Sequence, residues 1–540
     1  MTSSRKTNRL PLLGLLSAVG GVVSLAAACS STETPGPVGV AGTTSQTGGV
    51  GGSGGASAGG SAGAAIAGGT GGAVPVAGGG GSAPVAGTGG GGGATPPACK
   101  AVTPLNGAGL TMKATDISAF RYAPKPQGPE MIKMAYDPVG MKVVIQQRNG
   151  NLTAVDPMVA LPTTASDATV TTTAPYNSGY DGEGNNDHRG LAFDKNGVMY
   201  VLSVTGGGNV GVRIKKGVPG ATPDAPRTWT TLVSTSQGFA SSGTNFDHSF
   251  SGIAVSPDAS SLFFSSGSRT DHGEPENGLR EVPLSSAIFK VPTATPTDIR
   301  NDATALAPFL YADGTRNAFD MDFNAEGDLI GTDNGPDMDL PDEINFYEQG
   351  KHYGFPQRFG AVDNPVLDAG YTAAGDKRLH ANSGYQAVDN NTYVADAQIE
   401  KAAAGVTVAD PILNMGPDAN WARADRNADP AKVAGGFAGI TGHRSPLGIA
   451  FDTAGALCGE YYKQGFVLSY GSVLEGALSD GGKDLLLINL TKANGAYTMS
   501  VKQLASGITA PMDAVLVGNR LFSIGFGAAG EVLVYVLPTP

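Results

Sequence analysis

The sequence predicts an all-β domain of β-propeller architecture, six-bladed with an irregular insertion before the fifth blade, preceded by an export signal and a disordered Gly-rich tether. Three observations carry that reading. A hairpin phrase recurs six times, its copies follow one another mostly at sixty-odd residues, and glycine is concentrated in one segment instead of being spread along the chain.

Of 540 residues, 81 are glycine and 35 proline, and charged residues make up 15%, against about 25% in an ordinary globular protein. Residues 30–98 account for much of this, being almost entirely Gly, Ala, Ser, Thr, Val and Pro with one charged residue, Glu33. Such a stretch cannot bury enough apolar surface to offset the entropy of ordering it, and reads as a flexible spacer. Ahead of it, Arg5, Lys6 and Arg9 precede an apolar run from Leu10 to Ala28, the pattern of a secretion signal. The ending Leu25-Ala26-Ala27-Ala28-Cys29 resembles a bacterial lipobox. That resemblance implies lipidation of Cys29 and, with Ser30 and Ser31 following, an extracytoplasmic, lipid-anchored protein of the outer membrane or cell surface. The glycines at 14, 20 and 21 and the borderline length disfavour a spanning anchor. The expected organisation is therefore 1–29 signal peptide, 30–98 linker and 99–540 propeller.

With Cys29 consumed by lipid, Cys99 and Cys458 remain in an oxidising compartment. A bond between them would pin the chain entry to the fifth repeat. Two buried thiols are the alternative, because sequence does not fix their distance.

The repeated phrase is a short alternating apolar strand, a D-x-x-G-like turn and a second apolar strand. Copies begin at Met131, Gly190, Gly252, Phe319, Leu447 and Met512, with turn positions Asp137, Asp194, Ser256, Asn324, Asp452 and Leu516. Those positions are 57, 62, 68, 128 and 64 residues apart. Period-two alternation bounded by Gly, Pro, Asn and Asp reads as a hairpin, and one hairpin plus further strand per sixty-odd residues reads as a propeller blade. The doubled interval leaves room for a degenerate seventh blade or an insertion at 361–442, and the polar loop composition there, with a weak helical segment at 395–404, favours the insertion. The net charge of −12 and pI near 5.0 exclude a nucleic-acid partner, since nothing supplies a basic stripe to displace phosphate counterions.

Blades present their loops to one end of a central channel, where chemistry is to be sought. Three segments have unusual polar density. In Asn245-Phe246-Asp247-His248, a histidine lies just before a blade strand. It can act as a neutral general base with its tautomer set by a carboxylate such as Asp247 or Asp271; alone, a loop histidine is more often a surface residue. In Thr315-Arg316-Asn317, a guanidinium fork and an amide suit a polycarboxylate or quinone. From Asp333 to Asn345, the carboxylates of Asp333, Asp337, Asp339, Asp342 and Glu343 with Gly and Pro carbonyls read as a hard-cation site for Ca²⁺, or as an acidic solvent loop.

The ordered string Arg316-Asn317, Asp333-Asn334-Gly335-Pro336, Asp342-Glu343-Ile344-Asn345 and Gly350 to Tyr353-Gly354-Phe355-Pro356 resembles the pyrroloquinoline-quinone-dependent glucose and sorbosone dehydrogenases. These are six-bladed extracytoplasmic propellers that oxidise sugars. The likeness runs from about Gly128 to Leu537, and includes Asp247-His248, Gly267-Ser268 and His443-Arg444-Ser445-Pro446-Leu447-Gly448. It implies that His248 is the base taking the proton of the sugar's anomeric hydroxyl, and that Arg316 stabilises charge at the quinone carbonyls. By the same likeness Asn317 contacts the cofactor, and the carbonyls of Gly335 and Pro336 hold calcium. His443 and Arg444 match polar channel residues more loosely. The implied cofactors are pyrroloquinoline quinone (PQQ) and Ca²⁺, and the implied partners a small sugar, an extracytoplasmic electron acceptor and, through lipid, a membrane.

One departure stands out. Where the sorbosone branch shows H-G-S-W-N-R, this chain reads Tyr470-Gly471-Ser472-Val473-Leu474-Glu475, so an arginine expected at the cofactor carboxylates is missing. One charge-assisted bond is worth about 1.5–3 kcal/mol, and Arg444, Arg358 and Lys483 are the cations other loops offer. Besides a sugar dehydrogenase, the sequence therefore admits a non-catalytic calcium-containing propeller serving as a surface carbohydrate-binding or interaction module. A calcium-dependent lactonase-type hydrolase is a weaker third reading.

Overall fold

The computed structural model describes residues 95–125, 130–176, 180, 187–206, 209–222, 225–242, 248–275, 278–336, 338, 340–368, 370–376, 406–417, 436–471 and 482–540. The signal, Cys29, nearly all of the tether, Asp247, Asp337, Asp339, the helical segment expected at 395–404 and residues 472–475 lie outside them.

Each of the six hairpin copies forms the two innermost strands of a sheet. The innermost strands are Met131–Asp137, Asp187–Phe193, Phe250–Val255, Asp320–Phe323, Pro446–Phe451 and Pro511–Val517, each antiparallel to the next strand in sequence. The turns that follow are stabilised by the expected residues. Asp194 Oδ1 accepts from the N–H groups of Asn196 at 2.8 Å and Val198 at 2.9 Å, Asn324 Oδ1 from Glu326 and Asp328, and Asp452 Oδ1 from Ala456. These side-chain turns mimic a backbone turn and favour Asx residues. The last copy has Leu516 at that position and turns instead on Gly518, at φ 58°, a left-handed conformation that glycine adopts without steric cost.

Apolar faces pack between neighbouring sheets all the way round. Val144 and Leu191 share one apolar cluster between the first and second, Leu202 and Phe264 one between the second and third, and Phe263 and Met321 one between the third and fourth. Ile330 with Ile449, Phe466 with Leu521, and Phe522 with Val143 close the remaining three interfaces. Strand Ser118–Ala123 pairs with Val532–Val536, so the N-terminal strand completes the last sheet and ties the two ends of the ring together. The expectation of six blades is corrected in one respect. Five of these sheets have four or more strands, whereas the fourth, Asp320–Phe323, Leu329–Asp333 and Glu343–Tyr347, has three among the described residues. The architecture is an all-β propeller of five complete blades and one three-stranded unit.

The insertion is not wholly outside the sheets. Its strand Leu413–Asn414 pairs parallel with Ala496–Ser506 and antiparallel with Phe437–Ala438, extending the outer edge of the fifth blade. The structure joins Cys99 to Cys458 with Cα atoms 5.2 Å apart, closing 359 residues of chain, and Gly459 N donates to Pro97 O at 2.9 Å. Among the described residues no helix is long and apolar enough to cross a membrane.

The innermost strands of all six sheets line an axial channel of about 310 Å³. Their approach is close: a Cβ on Gly448 would lie 2.5 Å from Asp513 Cα on the next blade. Charge ties opposite walls together, since buried Lys133 Nζ lies 2.9 Å from Asp320 Oδ1 and 3.6 Å from Asp513 Oδ1. The same carboxylates accept backbone N–H groups from Ile449 and Met134.

Candidate active site at the strand-entry end

His248 lies two residues before the innermost strand of the third blade and Arg316 four before that of the fourth, so both belong to the end where innermost strands begin. Between them runs Gly267-Ser268, which follows the second strand of the third blade. His248 N donates to Ser268 O at 2.8 Å and Ser268 N to Arg316 O at 2.6 Å. Gly267 is required there, because a Cβ would lie 2.4 Å from His248 Cβ and 3.4 Å from Arg316 O. The backbones of His248 and Arg316 are therefore bonded to one dipeptide, and both side chains are buried.

Arg316 is held from several directions. Nη2 and Nε donate to Oδ1 and the backbone carbonyl of Asp271, each at 2.7 Å, and Nη1 to Asn334 O at 3.1 Å. Asp271 also faces His272 Nδ1 at 3.3 Å, which lies 3.1 Å from Glu274 Oε2. Of the carboxylates suggested to orient His248, Asp271 is thus engaged by Arg316 and His272. One partner of His248 Nδ1 is the hydroxyl of Ser268, at 3.3 Å.

The acidic segment continues the same hydrogen-bonded belt. Asp333 accepts the N–H groups of Arg316 at 3.0 Å and Asn317 at 2.5 Å. Asp342 accepts from Gly335 N at 2.7 Å and Ser445 N at 2.8 Å. Glu343 accepts from Gly360 N at 2.6 Å and Asn345 Nδ2 at 2.9 Å. The three described carboxylates of the expected cation loop are therefore backbone clamps, and Asp342 joins Gly335 to Ser445 at the entry to the fifth blade. Among the described residues no three His, Cys, Asp or Glu side chains are grouped to hold a metal, which leaves the loop's carbonyls as its oxygen donors. No backbone hydrogen bond among the described residues uses the carbonyl of Gly335 or Pro336, and the neighbouring Asn334 Oδ1 is buried without a partner. An oxygen-only set of this kind suits a hard cation.

Burial dominates the electrostatics. It raises the Asp333 carboxyl to about 7, against the opposing backbone hydrogen bonds from Asn317 and Arg316. It raises Glu343 to about 8, helped by the charge of Asp333, and pushes Asp342 upward as well. Desolvation disfavours the charged carboxylate in each case.

Residues 130–364 match the family profile described as Glucose / Sorbosone dehydrogenase. The matched segment contains His248, Arg316, Asn317, Gly335 and Pro336. No curated protein matches the chain. Similar solved structures include the soluble aldose sugar dehydrogenase of Escherichia coli in its apo form, at 13% identity and TM-score 0.49, covering 78% of this chain and 99% of that one. The holo PQQ domain of pyranose dehydrogenase from Coprinopsis cinerea is similar at 12% identity and TM-score 0.49, covering 80% and 100%. The PQQ-bound aldose sugar dehydrogenase of Streptomyces coelicolor is similar at 15% identity and TM-score 0.43, covering 78% and 97%.

His443 and Arg444 lie beyond the glucose / sorbosone dehydrogenase match. His443 is half-buried and, like Ser445, has a left-handed backbone, at φ 60°. Arg444 is buried, with Nη2 2.9 Å from Asp484 Oδ2, which also accepts from Gln503 Nε2 at 2.6 Å. Asp342 reaches Ser445 and so connects this pair to the belt. Of the cations offered in place of the missing arginine, Arg358 lines one small cavity with Arg316, Asp333 and Glu343, while Lys483 is exposed. Sequence reasoning missed Ser268 as a partner of His248 and Asp342 as the link between blades. The only signal for Ser268 was its place directly after Gly267 at a strand end.

Proposed function

We propose that the chain is a quinoprotein sugar dehydrogenase that oxidises an aldose with PQQ and Ca²⁺ outside the cytoplasm, held by a lipid at Cys29, and passes the electrons to an extracytoplasmic acceptor. The observation that carries this reading is the attachment of His248 and Arg316 to either side of Gly267-Ser268, inside the segment that matches the glucose / sorbosone dehydrogenase family. When bound, the quinone supplies a two-electron acceptor and the calcium ion a Lewis acid. The carbonyls of Gly335 and Pro336, with Asn334 Oδ1 next in sequence, are the donors to hold the cation. Asn317 and Arg316 would contact the cofactor, and Arg316 would offset negative charge that develops on its reduction. His248 would take the anomeric hydroxyl proton on its ring while the hydride of the C–H bond went to the two-electron acceptor that the quinone would supply, so that one O–H and one C–H bond break and the sugar gains a carbonyl.

A second reading, a calcium-containing propeller that binds carbohydrate or a partner without catalysis, is favoured by one observation. The buried guanidiniums of Arg316 and Arg444 are each already paired with a carboxylate, which reduces what they offer a polyanionic cofactor. Dye reduction by the full chain with PQQ, Ca²⁺ and a panel of aldoses separates the two. The dehydrogenase reading expects turnover with at least one aldose and a loss of about 10²-fold or more in His248→Ala, the scale of general-base catalysis. No turnover with any sugar leaves the binding module.

A further inference from the structure

The hydrogen bonds around His248 determine more than its position. Ser268 Oγ lies 2.7 Å from the backbone carbonyl of Thr270 and 3.3 Å from His248 Nδ1. Two oxygens at 2.7 Å repel unless a proton lies between them, and a carbonyl has none to give. The single hydroxyl proton of Ser268 is therefore committed to Thr270 O. What Ser268 Oγ turns toward the imidazole is a lone pair, so Nδ1 must be the ring nitrogen that carries hydrogen. We infer that Ser268 is a positioning residue that fixes the tautomer of His248, keeping the proton on Nδ1 and leaving the lone pair on Nε2.

Ser268 is well placed for this. It is fully buried, its backbone N–H is bound to Arg316 O and its carbonyl to His248 N–H, so its Cβ direction is fixed by two neighbouring blades. Gly267 admits no side chain that could push it aside. In a neutral imidazole one nitrogen is donor and the other acceptor, and the bond made by one decides the role of the other. A base must present the acceptor. With Nδ1–H spent on Ser268, Nε2 is the nitrogen able to take a proton. The use of His248 as a base rests on the proposed function, whereas its tautomer does not. The orienting group is here an uncharged hydroxyl, which selects a tautomer without adding a negative charge beside the ring.

The test is nitrogen NMR of the full chain labelled with ¹⁵N-histidine, without quinone, calcium or sugar, at alkaline pH where the ring is neutral. His248→Gln identifies the resonances by their loss. The inference expects predominantly Nδ1–H at His248. In Ser268→Ala the population shifts toward Nε2–H, and Ser268→Thr, which restores a hydroxyl, returns it to Nδ1–H. Melting curves of both variants show that the fold persists. A dominant Nε2–H form in the unsubstituted chain, or a spectrum unchanged in Ser268→Ala, overturns the inference. Because no cofactor is present, the expected spectrum in a chain that oxidises no sugar would reject the enzyme reading and leave the tautomer assignment standing.

Discussion

At the turn end of the innermost hairpins, Asp194 bonds the second and fourth residues after it, and Asn324 does the same. At the entry end, Arg316 is held by Asp271, 45 residues away, Arg444 by Asp484, 40 away, and Ser445 N by Asp342, 103 away. Both ends must satisfy polar groups that folding removes from water. The turn end does so mainly within the turn, as at Asp194, Asn324 and Asp452, although Arg227 also donates to Asp137 from 90 residues away and Asn324 Nδ2 to Tyr497. The entry end relies on distant partners, two of the three delivered by a neighbouring blade. A group whose partner is local costs little to replace. One whose partner is a buried charge on another element leaves that charge uncompensated.

Arg316→Ala tests the costly side of this contrast. It strips the buried Asp271 carboxylate of its guanidinium and should destabilise the fold by about 3–5 kcal/mol, the range for breaking a buried ion pair. Asp271→Asn in the same chain should recover part of that loss, as read by denaturant unfolding. Additive losses would mean that the pair is not coupled.

A medium effect should appear as pH dependence. Burial raises the Glu343 carboxyl from 4.5 to about 8, so the folded chain keeps a proton that the unfolded chain releases between those values. Stability from this group therefore falls as pH rises through that window and levels off above it. Glu343→Gln removes the titration. Its melting temperature relative to the unsubstituted chain should climb from about pH 5 to about pH 8, and a constant difference would contradict the assignment.

The smallest change is expected at the turn end. Asp194→Ala loses two backbone-to-side-chain bonds within one buried turn, which should cost roughly 1–2 kcal/mol and leave sugar oxidation unchanged. A loss of activity in that variant would break the division between the two ends.

The same contrast explains what could be read in the chain. The innermost hairpins at Met131, Gly190, Gly252, Phe319, Leu447 and Met512 were legible because alternation and an Asx turn are encoded within about a dozen residues. His248 and Arg316 were legible through their order along the chain. The belt that joins them was not, because no local pattern shows that Ser268 N meets Arg316 O or that Asp342 reaches Ser445. The two insertion strands that edge the fifth blade escaped for a related reason. Two-residue strands carry no periodicity of their own.

The account depends on the entry end being a cofactor site and not merely a clamp between blades. Calorimetric titration of the full chain with PQQ, in the presence and absence of Ca²⁺, tests this most directly. The account predicts a single saturable, calcium-dependent site that weakens by roughly tenfold in Arg316→Lys, the scale of one charge-assisted bond. No binding under either condition would contradict it.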